Sequence, residues 1–422
     1  MSRTRAKVIL LANAYPYGDW EPYLGPEVQA LAKKFDLSII SLSIRKDQFG
    51  LRRETPAGVA VLPLQLMPTL GYVLLGAGAV FSHEFWSEVK LAVKNRRDVL
   101  ASIIYTAKVW TRSQWEARKI ERFLRNNNLE VSDEFVIYAY RMEYQTYLAT
   151  LLKRKFPKAR IIVRGHGTDL EIEHRPGERV PFREIGFANA DRLVVVSKYS
   201  LRYLQERYPQ FSNKMAVSYL GTYDNGIAKW ERQDSVIRLL SISNMTSIKR
   251  IPLIVDALQH TVQQCRDIKI EWTHFGSGRD MDLVRKRIQD LPSNIHVSLK
   301  GQVDNAELME HLQDNPYDLL INTSSREGLP VSMMESMSLG IPVVGTPVGG
   351  VPEIVNDNVN GWLIDEHAIS KSLANLLCCY AELPGSRKEQ LRKNARQTWE
   401  TSFSAEAAYS RFSQLIEDTL HE

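Results

Sequence analysis

Short apolar runs rich in Val, Ile and Leu alternate with amphipathic stretches of helical period along this chain, and they do so in two successive series. That alternation constrains the fold more than any other feature, because strand, helix and parallel strand together make the unit of α/β architecture. The first series predicts strands at Lys7–Leu11, Leu37–Leu42, Phe135–Tyr138, Ile161–Arg164 and Arg192–Val196, with helices such as Pro26–Lys34 and Gln114–Arg125 between them. The second predicts strands at Ile237–Ser241, Ile268–Phe275, Ile295–Leu299, Asp318–Ile321 and Pro342–Val344. Its helices are predicted at Pro252–Gln264, Asp280–Asp290, Asn305–Gln313 and Pro330–Leu339. Between the two series, Gly221–Asp234 is polar, holds two glycines and has little periodicity, so it reads as a linker. A chain of 422 residues with 44% hydrophobic residues can bury a core in each half. Ligands of doubly wound sheets gather beyond the carboxyl ends of the strands, so two such domains predict an interdomain cleft.

Composition narrows the setting. Three cysteines, Cys265, Cys378 and Cys379, make no disulfide framework, which fits a reducing, cytoplasmic environment. No Cys/His cluster has zinc spacing, so no structural metal is expected. The apolar run Lys7–Asn13 is too short for a secretory signal. Residues Ala57–Phe81 are the most apolar stretch, but prolines and glycines limit the cleanest run to about 11 residues, where a spanning helix needs about 20. A buried strand followed by a loop or core helix is predicted there, with a surface-inserting membrane segment as the alternative. Charge is uneven: residues 1–200 hold 31 basic against 21 acidic residues, whereas the whole chain is only +5. Ten of those basic residues fall between Lys90 and Arg125, interleaved with Trp110 and Trp115. A solvated helix face or attraction to an anionic lipid headgroup or pyrophosphate-linked acceptor would each account for them. No reader motif accompanies the charge, so nucleic acid is not expected as a partner.

The densest chemical signal runs from Asn322 to Ile354, NTSSREGLPVSMMESMSLGIPVVGTPVGGVPEI. A strand feeds the loop Thr323–Leu329, and Pro330 suits the first turn of the following helix, where its missing N–H costs nothing. Backbone N–H groups near Gly328–Val331 then face whatever lies beyond the strand, an arrangement suited to phosphate or sugar hydroxyls. Glu327 lies in the loop and Glu335 about a turn and a half into the helix, whose side chains tilt back toward its start. A carboxylate offers two acceptor oxygens, which suits a vicinal diol. Two glutamates eight apart arise by chance in any chain. Their context is what singles them out: Gly-Leu-Pro after the first, then Gly-Ile-Pro-Val-Val-Gly, then Gly349-Gly350 before Val351-Pro352-Glu353.

On these residues the chain resembles glycosyltransferase family 4, retaining enzymes of the GT-B fold with two Rossmann-like doubly wound parallel-sheet domains facing a cleft. The likeness continues into Asn360-Gly361-Trp362-Leu363-Ile364 and extends over essentially the whole chain. It implies that Glu335 binds the donor ribose and that Glu327, with the amides around Gly328–Pro330, holds the hydroxyls of the transferred sugar. In Ser241–Leu258, Lys249 matches the family's diphosphate lysine. Asn244 stands where an arginine is usual, which leaves Arg250 to supply the second cation. Val303, in Gly301-Gln302-Val303, falls at the turn bordering the nucleobase, and the glycines of His274-Phe275-Gly276-Ser277-Gly278 fall near the donor. In the first half, the loop Tyr15–Leu24 resembles that of exopolysaccharide enzymes, with Gly18 placed to let backbone approach the donor. His166, in IIVRGHGTD, matches a family histidine expected to hydrogen-bond the donor sugar near the reacting centre. Asp169 is a second candidate there, with helix capping as its other reading, and Ser197-Lys198 resembles another turn lining the cleft.

The resemblance therefore implies domains at 1–222, joined by a C-terminal helix 403–422, and at 235–402. The expected activity is transfer of a hexose from a nucleotide diphosphate sugar, most simply a UDP-sugar, to a glycan or lipid-linked acceptor in bacterial surface polysaccharide synthesis. The expected anomeric outcome is retention. No cofactor and no metal are expected, because positive side chains can stabilise the leaving diphosphate. The expected location is cytoplasmic, with peripheral contact to the inner membrane face through the basic N-terminal domain. A non-catalytic nucleotide-sugar-binding subunit and a GT-B epimerase are the competing readings.

Overall fold

The computed structural model describes residues 5–18, 20–170, 172–173, 175–230 and 235–422. Asp19 of the Tyr15–Leu24 loop and residues 231–234 of the expected linker lie outside the described residues. The chain forms two compact units, residues 1–218 with 409–422, and residues 219–408. The divisions thus fall at 218/219 and 408/409, against expected ends at 222 and 402. The final helix, expected from Phe403, runs Ala405–His421.

In the first unit the described residues form seven parallel strands: β1 Lys7–Ala12, β2 Asp36–Ile44, β3 Ala60–Gln65, β4 Phe135–Ala139, β5 Arg160–Gly165, β6 Arg192–Val195 and β7 Met215–Val217. Their order is β3-β2-β1-β4-β5-β6-β7. Central strands such as β1 and β4 are buried on both faces, which is why they read as continuous apolar runs rather than alternating ones. Leu10 registers with Ile39 on one side and Tyr138 on the other. Helix α1, Leu24–Lys34, follows β1. After β3 come α2, Thr69–Gly76, a 3-10 turn Ala77–Phe81, α3, His83–Asn95, and α4, Val99–Asn126. Helix α4 begins fifteen residues before the predicted Gln114: its outward face there is apolar, which hides the helical period.

The second unit carries β8 Ile237–Ile242, β9 Ile270–Phe275, β10 Ile295–Gly301, β11 Leu319–Asn322, β12 Val343–Gly345 and β13 Gly361–Leu363, in the order β10-β9-β8-β11-β12-β13. All are parallel. Both sheets are Rossmann-like, and the architecture is GT-B. The strands β7 and β13 have three residues each, too few to leave a pattern in sequence.

Two expectations need correcting. The described part of the expected linker lies within the second unit rather than between the two. Thr222 N–H donates to Phe403 O at 2.9 Å and Ala228 N–H to Leu339 O at 3.0 Å, so this segment is strapped to the second unit. Cys265 and Cys378 are joined by a disulfide with 6.2 Å between their Cα atoms, although none was anticipated. Cys265 ends the helix Pro252–Gln264, which packs beside Ile369–Glu382, the helix that carries Cys378. A separation of 113 residues conceals that neighbourhood in the sequence.

Candidate functional site

The strand order of the second unit reverses between β8 and β11, so the loops after these two strands leave the sheet side by side. A doubly wound sheet opens its ligand crevice at such a point. The two loops are zipped together: Ser325 N–H donates to Ile248 O at 2.8 Å, and Thr323 Oγ1 to Lys249 O at 2.8 Å. Arg250 completes the zip by giving Nε to Thr323 O and Nη2 to Ser324 O, both at 2.7 Å. Arg250 thus clips the two loops together through these two carbonyls. Asn244 itself is exposed at the tip of its loop.

Lys249 and Glu327 meet across the zipped loops, Nζ to Oε1 at 2.7 Å. Asn322 Nδ2 at 3.1 Å and Ser324 Oγ at 2.6 Å donate to the same carboxylate oxygen. Behind Glu327, the Gly349-Gly350 pair fixes the loop. Gly349 has φ +56°, and a Cβ there would overlap the Glu327 carbonyl oxygen, while Gly350 N–H donates to Gly328 O at 3.0 Å. Gly276 and Gly278 do the same for the other loop. With φ of +128° and +155°, they bring backbone against the carbonyls of Ser243 and Met245, and Met245 N–H reaches Ser277 O at 2.9 Å.

Leu329 is buried, and Pro330 is the N-cap residue of the helix Val331–Ser338, one position earlier than its predicted first-turn place. Half-buried Glu335 in the second turn accepts Asn305 Nδ2 at 2.9 Å. Burial pushes its carboxyl up to about 7, against the Asn305 amide, which favours the charged form. Asn305, for which sequence reasoning assigned no role, opens its helix two residues after half-buried Val303, so the Gly301–Val303 turn and Glu335 are brought to one place.

The first unit reverses between β1 and β4. Here the organising residue is Glu21, which lies in the Tyr15–Leu24 loop and was given no role from sequence. It is buried at φ +54°, and its carboxylate accepts the N–H groups of Asn13, Ala14 and Tyr15 at 3.1–3.3 Å. Arg141 spans from Glu21 (3.5 Å) to Asp169 (3.0 Å), with Tyr23 Oη at 2.9 Å. Asp169 in turn accepts His166 N–H at 3.0 Å and Met142 N–H at 3.3 Å. Glu21, Arg141 and Asp169 thus tie the loops after β1, β4 and β5 together. His166 is held on this frame beside the rings of Tyr140 (4.7 Å) and Tyr23 (5.8 Å). Burial, then the nearby Arg141 and Arg164 charges, hold its pKa well below the usual imidazole value. The ring bonds to the Tyr140 backbone, and Nε2 has no partner among the described residues.

Two other residues named from sequence hold structural roles. Gly18 has φ +64°, gives its N–H to Leu51 O at 2.8 Å, and a Cβ on it would meet Gln48 Nε2 at 2.8 Å. A turn at positive φ and close packing on Gln48 thus give this glycine a structural reason of its own. Ser197 caps the helix Lys198–Arg207, its Oγ accepting Ser200 N–H at 3.1 Å. Beside the Arg141 frame lies a cavity of about 740 Å³, walled by Asn13 and Tyr72 and, from α4, by Tyr105, Lys108 and Arg112.

Against this geometry the comparisons with known proteins fall into place. The sequence profile of the family described as glycosyl transferases group 1 matches residues 224–398. The match lies within the second unit. The matched segment contains Asn244, Lys249, Arg250, Val303, Glu327 and Glu335. Over 365 residues the chain is 22% identical to the putative colanic acid biosynthesis glycosyltransferase WcaL of Escherichia coli K12, covering 80% of this chain and 89% of that one. It is 28% identical over 187 residues to the amylovoran biosynthesis glycosyltransferase AmsK of Erwinia amylovora, a match covering 43% of this chain and 44% of AmsK. Among solved structures, Anabaena HepE in complex with UDP and glucose superposes with TM-score 0.65 at 14% identity, covering 98% of this chain and all of that one. A Rickettsia africae glycosyltransferase superposes with TM-score 0.68 at 16% identity and 99% coverage of both chains.

Proposed function

We propose that the chain is a retaining glycosyltransferase that transfers a hexose from a nucleotide diphosphate sugar to a glycan or lipid-linked acceptor in surface polysaccharide assembly. The observation that carries this reading is the meeting of Lys249 with Glu327 at the β8/β11 crevice, within the segment that the group 1 profile matches. Lys249 would turn to the diphosphate as negative charge develops on it, and Glu327 would accept hydroxyls of the transferred sugar. Glu335 would take the ribose diol, with Val303 beside the base and the Gly328–Pro330 amides along the sugar or phosphate. UDP-sugars are the first donors to test, because the HepE complex holds UDP and glucose. His166, with its pKa depressed and its ring bonded to the Tyr140 backbone, would accept a sugar hydroxyl at Nε2 without gaining a proton.

In the reaction the bond between the anomeric carbon and the diphosphate oxygen breaks, and a bond to the acceptor oxygen forms on the same face. The acceptor proton ends on the leaving diphosphate oxygen. No metal takes part in this reading; Lys249 and backbone amides carry the charge stabilisation. Catalysis then rests on positioning and electrostatics. Peripheral contact with the inner membrane face belongs to the same proposal.

The test is a panel of nucleotide sugars, read by binding and by slow sugar release. One donor should bind and hydrolyse. Glu327→Gln should cut its turnover about 100-fold, in the range of losing one transition-state contact, and Lys249→Ala should cut it comparably. Binding with no hydrolysis or transfer would favour a non-catalytic subunit. Release of an epimerised nucleotide sugar would favour an epimerase. Wild-type binding and turnover in both variants would sink the assignment.

A further inference from the structure

Among the described residues, exposed apolar side chains concentrate between Leu66 and Ile104, on the elements that follow β3. Phe81 is 91% exposed and Leu100 is 72% exposed, and Trp86, Leu91, Val93 and Ile104 are exposed as well. Such a patch on a folded surface marks an interaction site. Its layout is ordered by helical period. On α3, Phe85, Val89 and Ala92 point inward, and Phe85 and Val89 pack with Ile103, Ala107 and Trp110 of α4. The opposite face of α3 presents Trp86, Lys90, Val93 and Lys94, at spacings of three and four. On α4 the same geometry buries Ser102, Thr106 and Val109 and turns Leu100, Ile104 and Lys108 outward.

Charge sorts across the two faces. The acids Glu84 and Glu88 are drawn inward, Glu84 to Arg154 and Tyr147 and Glu88 to Arg179. Lys90, Lys94 and Arg96 remain exposed beside the apolar residues. An apolar face fringed by lysine and arginine suits an anionic bilayer surface, where side chains enter the headgroup boundary and cations meet lipid phosphates. No helix among the described residues is long and apolar enough to cross a membrane, so the match is to lying on the bilayer.

We infer that the α2–α4 hairpin docks the protein onto an anionic lipid bilayer through Phe81, Trp86, Leu91 and Leu100, with Lys90 and Lys94 on lipid headgroups. The same helices wall the 740 Å³ cavity, α2 through Tyr72 and α4 through Tyr105, Lys108 and Arg112. Docking therefore sets that cavity beside the lipid phase, where a membrane-anchored, anionic acceptor headgroup is delivered. The surface stands on its own chemistry. Only the delivery of an acceptor rests on the proposed transferase reading.

The experiment is co-sedimentation of the full chain with vesicles of phosphatidylcholine containing phosphatidylglycerol, against pure phosphatidylcholine vesicles. Wild type should sediment with the anionic vesicles and much less with neutral ones, and high salt should weaken the binding. Phe81→Ser with Leu100→Ser should cut the bound fraction about tenfold or more, and Lys90→Glu with Lys94→Glu should abolish the preference for anionic vesicles. Donor hydrolysis without lipid serves as the control for folding and should be unchanged in both double variants. No vesicle binding by wild type, or equal binding by the variants, overturns the inference. So does a wild-type dimer in solution that Phe81→Ser with Leu100→Ser converts to monomer, since a second copy would then own the surface. Vesicle binding without any donor hydrolysis would instead overturn the enzyme reading and leave the surface standing.

Discussion

Glu335 combines half burial, a single amide partner in Asn305 and a carboxyl raised to about 7. A ribose diol donates hydrogen bonds to a carboxylate, so the proposed donor site works in its charged form. Affinity for UDP should therefore weaken as pH falls below about 7, by about tenfold from pH 8 to pH 6. Calorimetric titration across that range checks it, and Glu335→Gln should give a weaker but flat profile. The same shift has a stability sign. The folded pKa lies above the unfolded one, so keeping Glu335 charged costs stability above pH 7, and the cost fades as pH falls toward the unfolded value. Glu335→Gln should accordingly raise Tm more at pH 8 than at pH 5. Glu327 and Glu335 could be singled out in the sequence because their spacing and surrounding glycines are local, whereas Lys249 was named only through the family resemblance. Asn305 could not be, because Glu335 is brought near it only by the fold, and Glu21 could not be, because its partner Arg141 lies 120 residues away although its amide donors are local. Glu21 at least left a trace, an acid inside a Gly- and Pro-bounded loop directly after a strand.

At the scale of the element, each sheet presents paired loops at its point of reversal, and glycines decide how closely they approach. Ala at Gly278 would collide with the Met245 carbonyl and hold a strained φ, a cost of about 1–3 kcal/mol. Gly278→Ala should lower Tm and weaken UDP binding together, because the displaced segment carries the Lys249 loop. Arg250 offers a sharper distinction. As a clip between loops, its loss should speed hydrogen exchange at the Ser325 amide, which donates to Ile248 O, even in nucleotide-free protein. A direct diphosphate ligand would leave that amide protected, so exchange mass spectrometry of Arg250→Ala separates the roles. The helix Pro252–Gln264 was readable to its ends from period and its opening proline. The start of α4 was not, since a helix face that is apolar on the outside breaks the usual contrast between inner and outer residues.

At the scale of the molecule, two Rossmann-like sheets follow from two series of apolar runs because strand and helix periods differ so plainly, while the GT-B architecture was expected from the family resemblance. The disulfide and the strap at 219–230 depend on packing between distant segments and left no comparable mark. If charge stabilisation rests on Lys249 rather than on a divalent ion, treatment with a chelator should leave turnover within about twofold of the untreated enzyme; a larger loss restored by a divalent cation would contradict that. Phe412 supplies a separate test of integrity, buried with its ring 5.0 Å from that of Tyr138 and 4.2 Å beneath the Arg164 guanidinium. Phe412→Ala should destabilise the first unit by about 3–5 kcal/mol, measured by denaturant unfolding.

Residues 409–422 belong to a unit whose other members end at Ser218, and that has a consequence for synthesis. The ribosome delivers all of residues 219–408 before the segment that carries Phe412. The unit begun first is thus the one finished last. During translation its sheet waits with the Phe412 position unfilled while the whole second unit emerges and can fold as a unit. A pause or premature stop beyond Ala408 would therefore release a chain whose late-made half is complete and whose early-made half is not.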